Sequence, residues 1–327
     1  MTTELSSANP GRARRQMAAD ILSKYGIVLA FVILFVALSF AHQNFLSTAN
    51  LTNVLRQVSI NGILAIGMTY VILTGGIDLS VGSVLALCGV VAGSLVTGAD
   101  PANPALAFLA GIGVGALVGA INGILIARFK VTAFVVTLGM LSMARGATLL
   151  YSDGRPIPNL SPEFRWFGQG FVMGVPVPVI VFALVFIIAF IVLRYTVYGR
   201  WIYAVGGNIK SARTSGIPTR SVIFSAYMIM GALAGLAGVI LTARTTSALP
   251  QAGLGYELDA IAAVVIGGTS LVGGVGSVTY TLIGALIIGV ISNGLDLLGV
   301  SSYYQQIIKG AIIVVAVLID RSRHSNP

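Results

Sequence analysis

Charged side chains are scarce in this chain. Only 9% of its 327 residues are Asp, Glu, Lys or Arg, whereas 56% are hydrophobic. The segment Ala260–Leu295 contains no charged residue at all. Water-soluble domains place such residues over their surfaces, whereas a helix needs about 20 consecutive, mostly apolar residues to cross a hydrocarbon core of about 30 Å. The composition therefore predicts an all-α polytopic membrane protein and excludes a soluble domain.

Other scarce residues exclude several classes of function. The single cysteine, Cys88, rules out an internal disulfide framework and a cysteine-based zinc cluster. The two histidines, His42 and His324, lie too far apart in sequence to indicate a metal site. No lysine follows a glycine, so the chain lacks the loop Gly-x-x-x-x-Gly-Lys-Ser/Thr that cradles phosphates. We therefore expect no catalytic residue, no metal and no cofactor in this chain.

The basic residues produce a net charge of +9, but their distribution argues against nucleic acid as a partner. They gather in short segments between apolar runs, as expected for residues that anchor cytoplasmic loops. With both termini in the cytoplasm, 13 of the 19 basic residues fall on the inner side. These are Arg12, Arg14, Arg15, Lys24, Arg128, Lys130, Arg194, Arg200, Lys210, Arg213, Arg220, Arg321 and Arg323.

The apolar windows predict about ten transmembrane helices, an even number that returns the C-terminus to the inner side. The predicted spans are residues 24–41, 51–73, 79–97, 104–127, 131–151, 176–194, 221–243, 258–272, 277–296 and 303–320. They form one transmembrane domain, residues 24–320, between cytoplasmic tails at 1–23 and 321–327.

Two predicted loops exceed turn length: an outer loop, residues 152–175, and an inner loop, residues 195–220. The outer loop is rich in proline, which opposes helix formation and favours a shaped cap or a surface on which a partner lands.

Glycine is abundant, with 40 residues, and it is ordered in the sequence. Gly111, Gly115 and Gly119 recur at every fourth position, and Gly231 and Gly235 repeat the spacing in a later helix. Small residues at this spacing let helix backbones approach closely in lipid. We expect tight helix packing here; an interface that moves during conformational change is the alternative.

Two further glycine groups, residues 74–83 and 267–277, interrupt apolar runs. Backbone that is not helical survives at membrane depth only where protein or a water-filled cavity satisfies its polar groups. Broken helices at corresponding places of two halves are a feature of transporters. The weak likeness of the two groups predicts an internal repeat of about five helices, with broken or re-entrant segments.

Polar side chains at the predicted membrane depth are candidates to line the path of a solute. An amide both donates and accepts hydrogen bonds, which suits a hydroxylated solute. The candidate pathway residues are Asn61, Asp78, Asn122 and Asn293. Hydrogen bonding between helices explains the asparagines equally well.

Placing a charged side chain at this depth costs free energy, so such side chains usually face an oppositely charged group or a water-filled cavity. We expect a structural pairing among Arg145, Asp296 and Lys309, with Arg145 and Asp296 near the outer ends of their helices.

The inner loop carries the signals of a short helix. Asn208 is a suitable N-cap, Gly216 a suitable residue after the C-cap, and Pro218 prevents continuation. A helix from about Ile209 to Ser215 would then project into the cytoplasm. It serves either as a docking element for a partner or as a basic loop on anionic headgroups.

Four stretches of the chain resemble the ribose permease family, within the superfamily of branched-chain-type permeases. They are Ile72–Ser83, Ala204–Ile217, Gly255–Leu271 and Asn293–Gln305. The resemblance covers nearly the whole chain after its first twenty residues.

The resemblance implies a permease subunit of an ATP-binding cassette importer in the bacterial inner membrane. It would carry a monosaccharide, ribose or another pentose, into the cytoplasm by alternating access. The implied partners are a second permease subunit in a homodimer, a cytoplasmic ATPase that binds ATP and Mg²⁺, a periplasmic or lipid-anchored sugar-binding protein, and membrane lipid. The implied ATPase-coupling residues are Gly207, Asn208, Ala212, Arg213, Ser215 and Gly216.

Two other classes of function fit less well. A secondary transporter or passive channel would need coupling carboxylates or a continuous pore, and the chain has only ten acidic residues. A membrane-embedded enzyme would need an acid, base or nucleophile set, which the sequence lacks. The sequence does not identify which monosaccharide is transported, because selectivity in such an importer resides mostly in the separate binding protein.

Overall fold

The computed structural model describes the backbone of residues 10–324 and the side chains of residues 26–318. The ends of the predicted tails, residues 1–9 and 325–327, lie outside the described residues. In chain order the helices are α1 (Pro10–Ala41), α2 (Thr48–Leu73), α3 (Val81–Leu95), α4 (Pro104–Ala127), α5 (Ala133–Tyr151), α6 (Pro162–Gln169), α7 (Val177–Tyr195), α8 (Val197–Gly207), α9 (Ile209–Thr214), α10 (Thr219–Thr245), α11 (Tyr256–Ile266), α12 (Val278–Leu297) and α13 (Ser302–His324). The antiparallel strands β1 (Phe171–Val172) and β2 (Val175–Pro176) complete the described fold.

The helical class of the fold is confirmed, with six helices in the described residues long and apolar enough to cross a membrane: α2, α4, α5, α7, α10 and α12. Shorter apolar helices cover Gly26–Ala41, Val81–Leu95 and Ser302–Leu318. The predicted span 258–272 contains only the 11-residue helix α11, because Gly267 and Gly268 end it. The total of ten crossings stays a prediction.

The outer loop is more ordered than its prolines suggested. Helix α6 begins at Pro162, and the side chain of Ser161 accepts a hydrogen bond from the Phe164 amide. Proline suits the first turn of a helix because the amide it lacks has no helical partner there. The expectation that proline opposes a helix in this loop was therefore wrong for these eight residues.

Helices α4 and α10 pack along each other more extensively than any other pair of elements in the described chain. A β-carbon added at Gly115 would meet the carbonyl oxygen of Gly231, and one added at Gly231 would meet that of Gly115. The pair Gly119 and Tyr227 repeats this contact one turn away. The predicted tight packing through glycine is confirmed.

We expect Gly115→Leu to lower the stability of the folded protein, because its side chain would have to displace the backbone of α10. Overpacking of this kind costs about 1–3 kcal/mol. Thermal unfolding in detergent measures the effect. Gly113→Leu on the same helix is the matched control, since a β-carbon there meets nothing within 4 Å. Equal unfolding midpoints for the two variants would contradict the packing argument.

Candidate functional site

The inner loop folds into two consecutive helices, α8 and α9. The side chain of Thr196 accepts a hydrogen bond from the Gly199 amide at 3.1 Å and caps α8. The side chain of Asn208 accepts one from the Ser211 amide at 2.9 Å and caps α9. Gly216 follows the last helical turn at φ +81°, a left-handed conformation that glycine adopts without strain. The predicted short helix and its caps are confirmed, whereas α8 was not predicted.

Helix α9 has a buried side and an exposed basic side. Ala212 is 4% exposed and belongs to the main hydrophobic core. Lys210 and Arg213 are exposed, and neither forms an ion pair with any described residue. The helix is thus anchored by a small apolar residue, and its two cations lie exposed on the opposite side.

The end of α8 meets both glycine-rich breaks of the membrane helices. The Gly274 amide donates a hydrogen bond to the Leu73 carbonyl at 3.0 Å, so the two breaks are joined through their backbones. A β-carbon at Gly206 would meet both of these backbone groups. A β-carbon at Gly274 would meet the backbone of Gly207, and one at Gly273 that of Gly75. We call this cluster the glycine junction: Gly75, Gly206, Gly207, Gly273 and Gly274.

The glycine junction gives the inner loop a direct mechanical connection to the membrane helices. The Tyr203 hydroxyl adds a second link by donating a hydrogen bond to the Gly276 carbonyl at 3.1 Å. Closely packed backbones transmit a displacement because no flexible side chain lies between them. A displacement of α8 and α9 would therefore reach the two breaks through these backbone contacts.

Two of the four candidate pathway residues meet at the start of α3. Asp78 accepts hydrogen bonds from the Ser80 amide and hydroxyl at 2.9 and 2.6 Å. The Asn122 amide donates to the same hydroxyl at 3.1 Å. Asp78 and Asn122 are both buried inside the subunit, so this network fixes the first turn of α3 against α4.

The other two candidates lie elsewhere. Asn293 and Asn50 exchange two hydrogen bonds at 3.0 and 2.8 Å, which join α12 to α2. Asn61 is 4% exposed, and its amide oxygen has no hydrogen-bond partner among the described residues. The four residues do not form one cluster, and Asn122 and Asn293 do bond between helices. Contact with a solute stays a prediction for all four.

The expected pairing among the three intramembrane charges was wrong. Lys309 forms an ion pair with Asp259 at 2.8 Å and not with Asp296. The Asp296 carboxylate accepts a hydrogen bond from the nearby Gln305 amide at 2.7 Å. Arg145 donates to two backbone carbonyls at 2.6 and 3.0 Å, those of Pro250 and Ala252. Each charge is satisfied within its own neighbourhood, so no pair between α5 and α12 is needed.

Sequence reasoning overlooked Asp259 as a partner for Lys309. The available signal was the pair Glu257-Leu-Asp259 at the start of the apolar run that becomes α11. Two carboxylates at the start of an otherwise uncharged membrane segment need a nearby cation or contact with water, because a charge in hydrocarbon is costly.

Comparison with known proteins fits this architecture. Residues 50–317 match the family described as branched-chain amino acid transport system / permease component. The chain belongs to this permease family. With its apolar helices, the permease is a multi-pass membrane protein.

Three relatives resemble the permease over nearly their full length. The ribose import permease protein RbsC of Bacillus subtilis (strain 168) is 51% identical over 306 residues, which cover 93% of this chain and 94% of that protein. The RbsC protein of Escherichia coli (strain K12) is 47% identical over 327 residues, with 99% and 100% coverage. The D-allose transport system permease protein AlsC of the same strain is 42% identical over 301 residues, with 91% coverage of each. No solved structure matches the chain significantly.

We expect Gly206→Ala in the permease to lower the unfolding midpoint in detergent, because a methyl group there meets the Leu73 carbonyl and the Gly274 amide. The cost of such overpacking is about 1–3 kcal/mol. Gly207→Ala is the matched control, since a β-carbon at that position meets nothing within 4 Å. A Gly206→Ala protein as stable as the control would show that the junction is loose.

Proposed function

We propose that the chain is the membrane-spanning subunit of an ATP-binding cassette importer that moves ribose into the cytoplasm by alternating access. The observation that carries the proposal is the identity of 47–51% to proteins named ribose import permeases, over 93–99% of this chain. The relative named for D-allose is less similar, at 42%. Ribose is therefore favoured over other monosaccharides.

The energy comes from a separate cytoplasmic ATPase, which binds ATP and Mg²⁺. The lack of a phosphate-binding loop in this chain supports that division. The ATPase engages α9 through its exposed cations, and the coupling residues are Gly207, Asn208, Ala212, Arg213, Ser215 and Gly216. Movement of α9 then reaches the membrane helices through the glycine junction.

Two copies of the permease form the working unit, and a periplasmic or lipid-anchored binding protein delivers the sugar to the outer face. Several apolar helices of one copy have only a third or less of their apolar window buried, among them α4, α5 and α7. Those faces are available for lipid and for a second copy. The ordered outer loop, with α6 and its hairpin, provides a rigid surface for the binding protein.

The proposed topology has ten crossings within residues 24–320 and both termini in the cytoplasm of a bacterial cell, with the domain embedded in the inner membrane. Residues 74–80 with α3, and residues 246–255 with α11, each make one crossing from a non-helical segment and a short helix. That shared plan supports two related halves. The basic residues of the inner loop support the orientation.

ATP-driven uptake in proteoliposomes tests the proposal. The permease, its ATPase and its binding protein should together accumulate ribose, and omission of the ATPase should abolish uptake. Uptake that persists without the ATPase, driven by an ion gradient or by concentration alone, would identify a secondary transporter or channel instead. Accumulation of allose or arabinose in place of ribose would show that the transported sugar is not ribose.

We expect Gly216→Val to uncouple ATP hydrolysis from uptake. Gly216 has φ +81°, and forcing a β-branched residue into that conformation costs on the order of 1–3 kcal/mol, so the end of α9 will shift. Sugar-stimulated ATP hydrolysis and ribose uptake are measured side by side. Gly98→Val is the matched control, because Gly98 also has positive φ and open space but lies at the outer end of α3. Normal coupling in Gly216→Val would refute the docking role of α9.

A further inference from the structure

We propose that the cavity at the inner ends of α7 and α12, which Arg194 and Arg200 line, binds the phosphate headgroup of an anionic phospholipid. The inference is independent of the solute that is transported, and it takes from the proposed topology only that the cavity lies in the inner leaflet.

The cavity has a volume of about 420 Å³ and lies where α7, α8 and α12 meet. Its lining includes Phe190, Arg194, Arg200, Tyr203 and Ser277. That volume lies within the range of small-molecule sites, roughly 300–1,000 Å³. The cavity is therefore large enough for a phosphate group with its glycerol.

The corner between α7 and α8 brings both arginines to this cavity. Only Thr196 separates the two helices, and a β-carbon at Gly199 would meet two carbonyl oxygens in the last turn of α7. The start of α8 is therefore packed directly on the end of α7. Arg194 precedes the corner and Arg200 follows it, so the two cations line one cavity.

The segments that line the cavity contain no carboxylate to pair with these cations. The chain has no Asp or Glu between Glu163 and Glu257, nor between Asp259 and Asp296. Arg194 and Arg200 are both exposed, and neither forms an ion pair within residues 26–318. Their charge is thus available to an anion from outside the chain.

The opposite wall of the cavity supplies further donors. The Ser277 hydroxyl accepts a hydrogen bond from the Thr279 amide at 3.3 Å and caps α12, and it keeps its own hydrogen to donate. The first amides of a helix also carry a partial positive charge. Burial raises the pKa of the Tyr203 phenol, and the nearby Arg194 cation opposes that rise. Because Tyr203 is bonded to the Gly276 carbonyl at 3.1 Å, Arg194 lies close to this wall.

The cavity lies at the depth of the lipid headgroups. Helix α7 has 19 residues and is about 28 Å long, close to the thickness of the hydrocarbon core. Arg194 lies in its last turn, and α12 begins at the same cavity. Because both apolar helices end here, the cations lie at the boundary where lipid phosphates are found. Basic pockets between membrane helices on the cytoplasmic side bind anionic headgroups.

An apolar surface leads from the cavity into the membrane, which favours a lipid over a soluble phosphate. Phe190 lines the cavity one turn before Arg194, and Phe186 stacks on it one turn further, with ring centroids 6.3 Å apart. Beside them Ile187 and Ile191 are 51% and 47% exposed. A phospholipid with its phosphate at the arginines would bury an acyl chain against this surface, which a free phosphate cannot do.

Lipid-dependent stabilisation of the full-length permease tests the site. In detergent, phosphatidylglycerol should raise the unfolding midpoint, because a ligand that binds the folded state stabilises it, and phosphatidylcholine should raise it much less. Arg194→Gln combined with Arg200→Gln should weaken the affinity for phosphatidylglycerol at least about tenfold, as read from the concentration dependence. Lys210→Gln combined with Arg213→Gln is the matched control, since it removes two other exposed cations of the inner loop and should leave the affinity unchanged.

A charge-conserving variant separates a lost site from a damaged fold. Arg194→Lys combined with Arg200→Lys should keep most of the affinity, and all of these variants should unfold at the same midpoint without lipid. An unchanged affinity after the two Arg→Gln substitutions would overturn the proposal. An equal loss in the control pair would also overturn it, because attraction to the net charge of the inner loop would then be sufficient.

Two further measurements identify the source of the anion. Stabilisation by glycerol phosphate as strong as that by phosphatidylglycerol, and lost with the two arginines, would assign the cavity to a soluble phosphate and overturn the lipid. Normal lipid affinity of the Arg→Gln pair together with loss of the ATPase from the importer would assign the arginines to that interface and overturn the proposal as well. Ribose uptake enters none of these outcomes, so they are distinct from a failure of the proposed function.

Discussion

Backbone hydrogen bonding in a medium without water is the constraint on which this structure depends. Continuous helices meet it by themselves, but the breaks at residues 74–80, 246–255 and 267–277 do not. Each break finds its partners within the protein: the Gly274 amide bonds to the Leu73 carbonyl, and Arg145 bonds to the carbonyls of Pro250 and Ala252. Glycine makes the first arrangement possible because two backbones approach without a β-carbon between them.

The same constraint explains why the inner loop and the membrane domain are mechanically linked. Gly206 lies directly against the bond that joins the first and third breaks, so α8 cannot shift without disturbing it. The first turn of α3 follows the first break and is held by Asp78, Ser80 and Asn122. On the proposed function, a push on α9 therefore ends at the non-helical segments, where little helix must be broken to change the direction of access.

Local signals in the sequence were sufficient for much of the fold. Apolar runs predicted the long helices, and the cap residues Asn208 and Gly216 fixed the ends of α9 because capping acts within four residues. Pairings between distant residues were not predictable. Lys309 bonds to Asp259, 50 positions away, and Asn293 to Asn50, 243 positions away. Spacing within one helix carries no information about such partners, and the mistaken pairing of Arg145 with Asp296 followed from this.

A passage with few polar groups is what an importer of this design requires. A solute must bind well enough to enter and weakly enough to leave, so a deep and fully complementary site would slow transport. Among the candidate pathway residues, Asp78, Asn122 and Asn293 already form hydrogen bonds within the protein, which leaves few free polar groups for a sugar. On the proposed function, a sugar that contacts these residues binds weakly because they offer few new hydrogen bonds. Tight selection then falls to the binding protein, and the permease needs only to keep the path wet for hydroxyl groups.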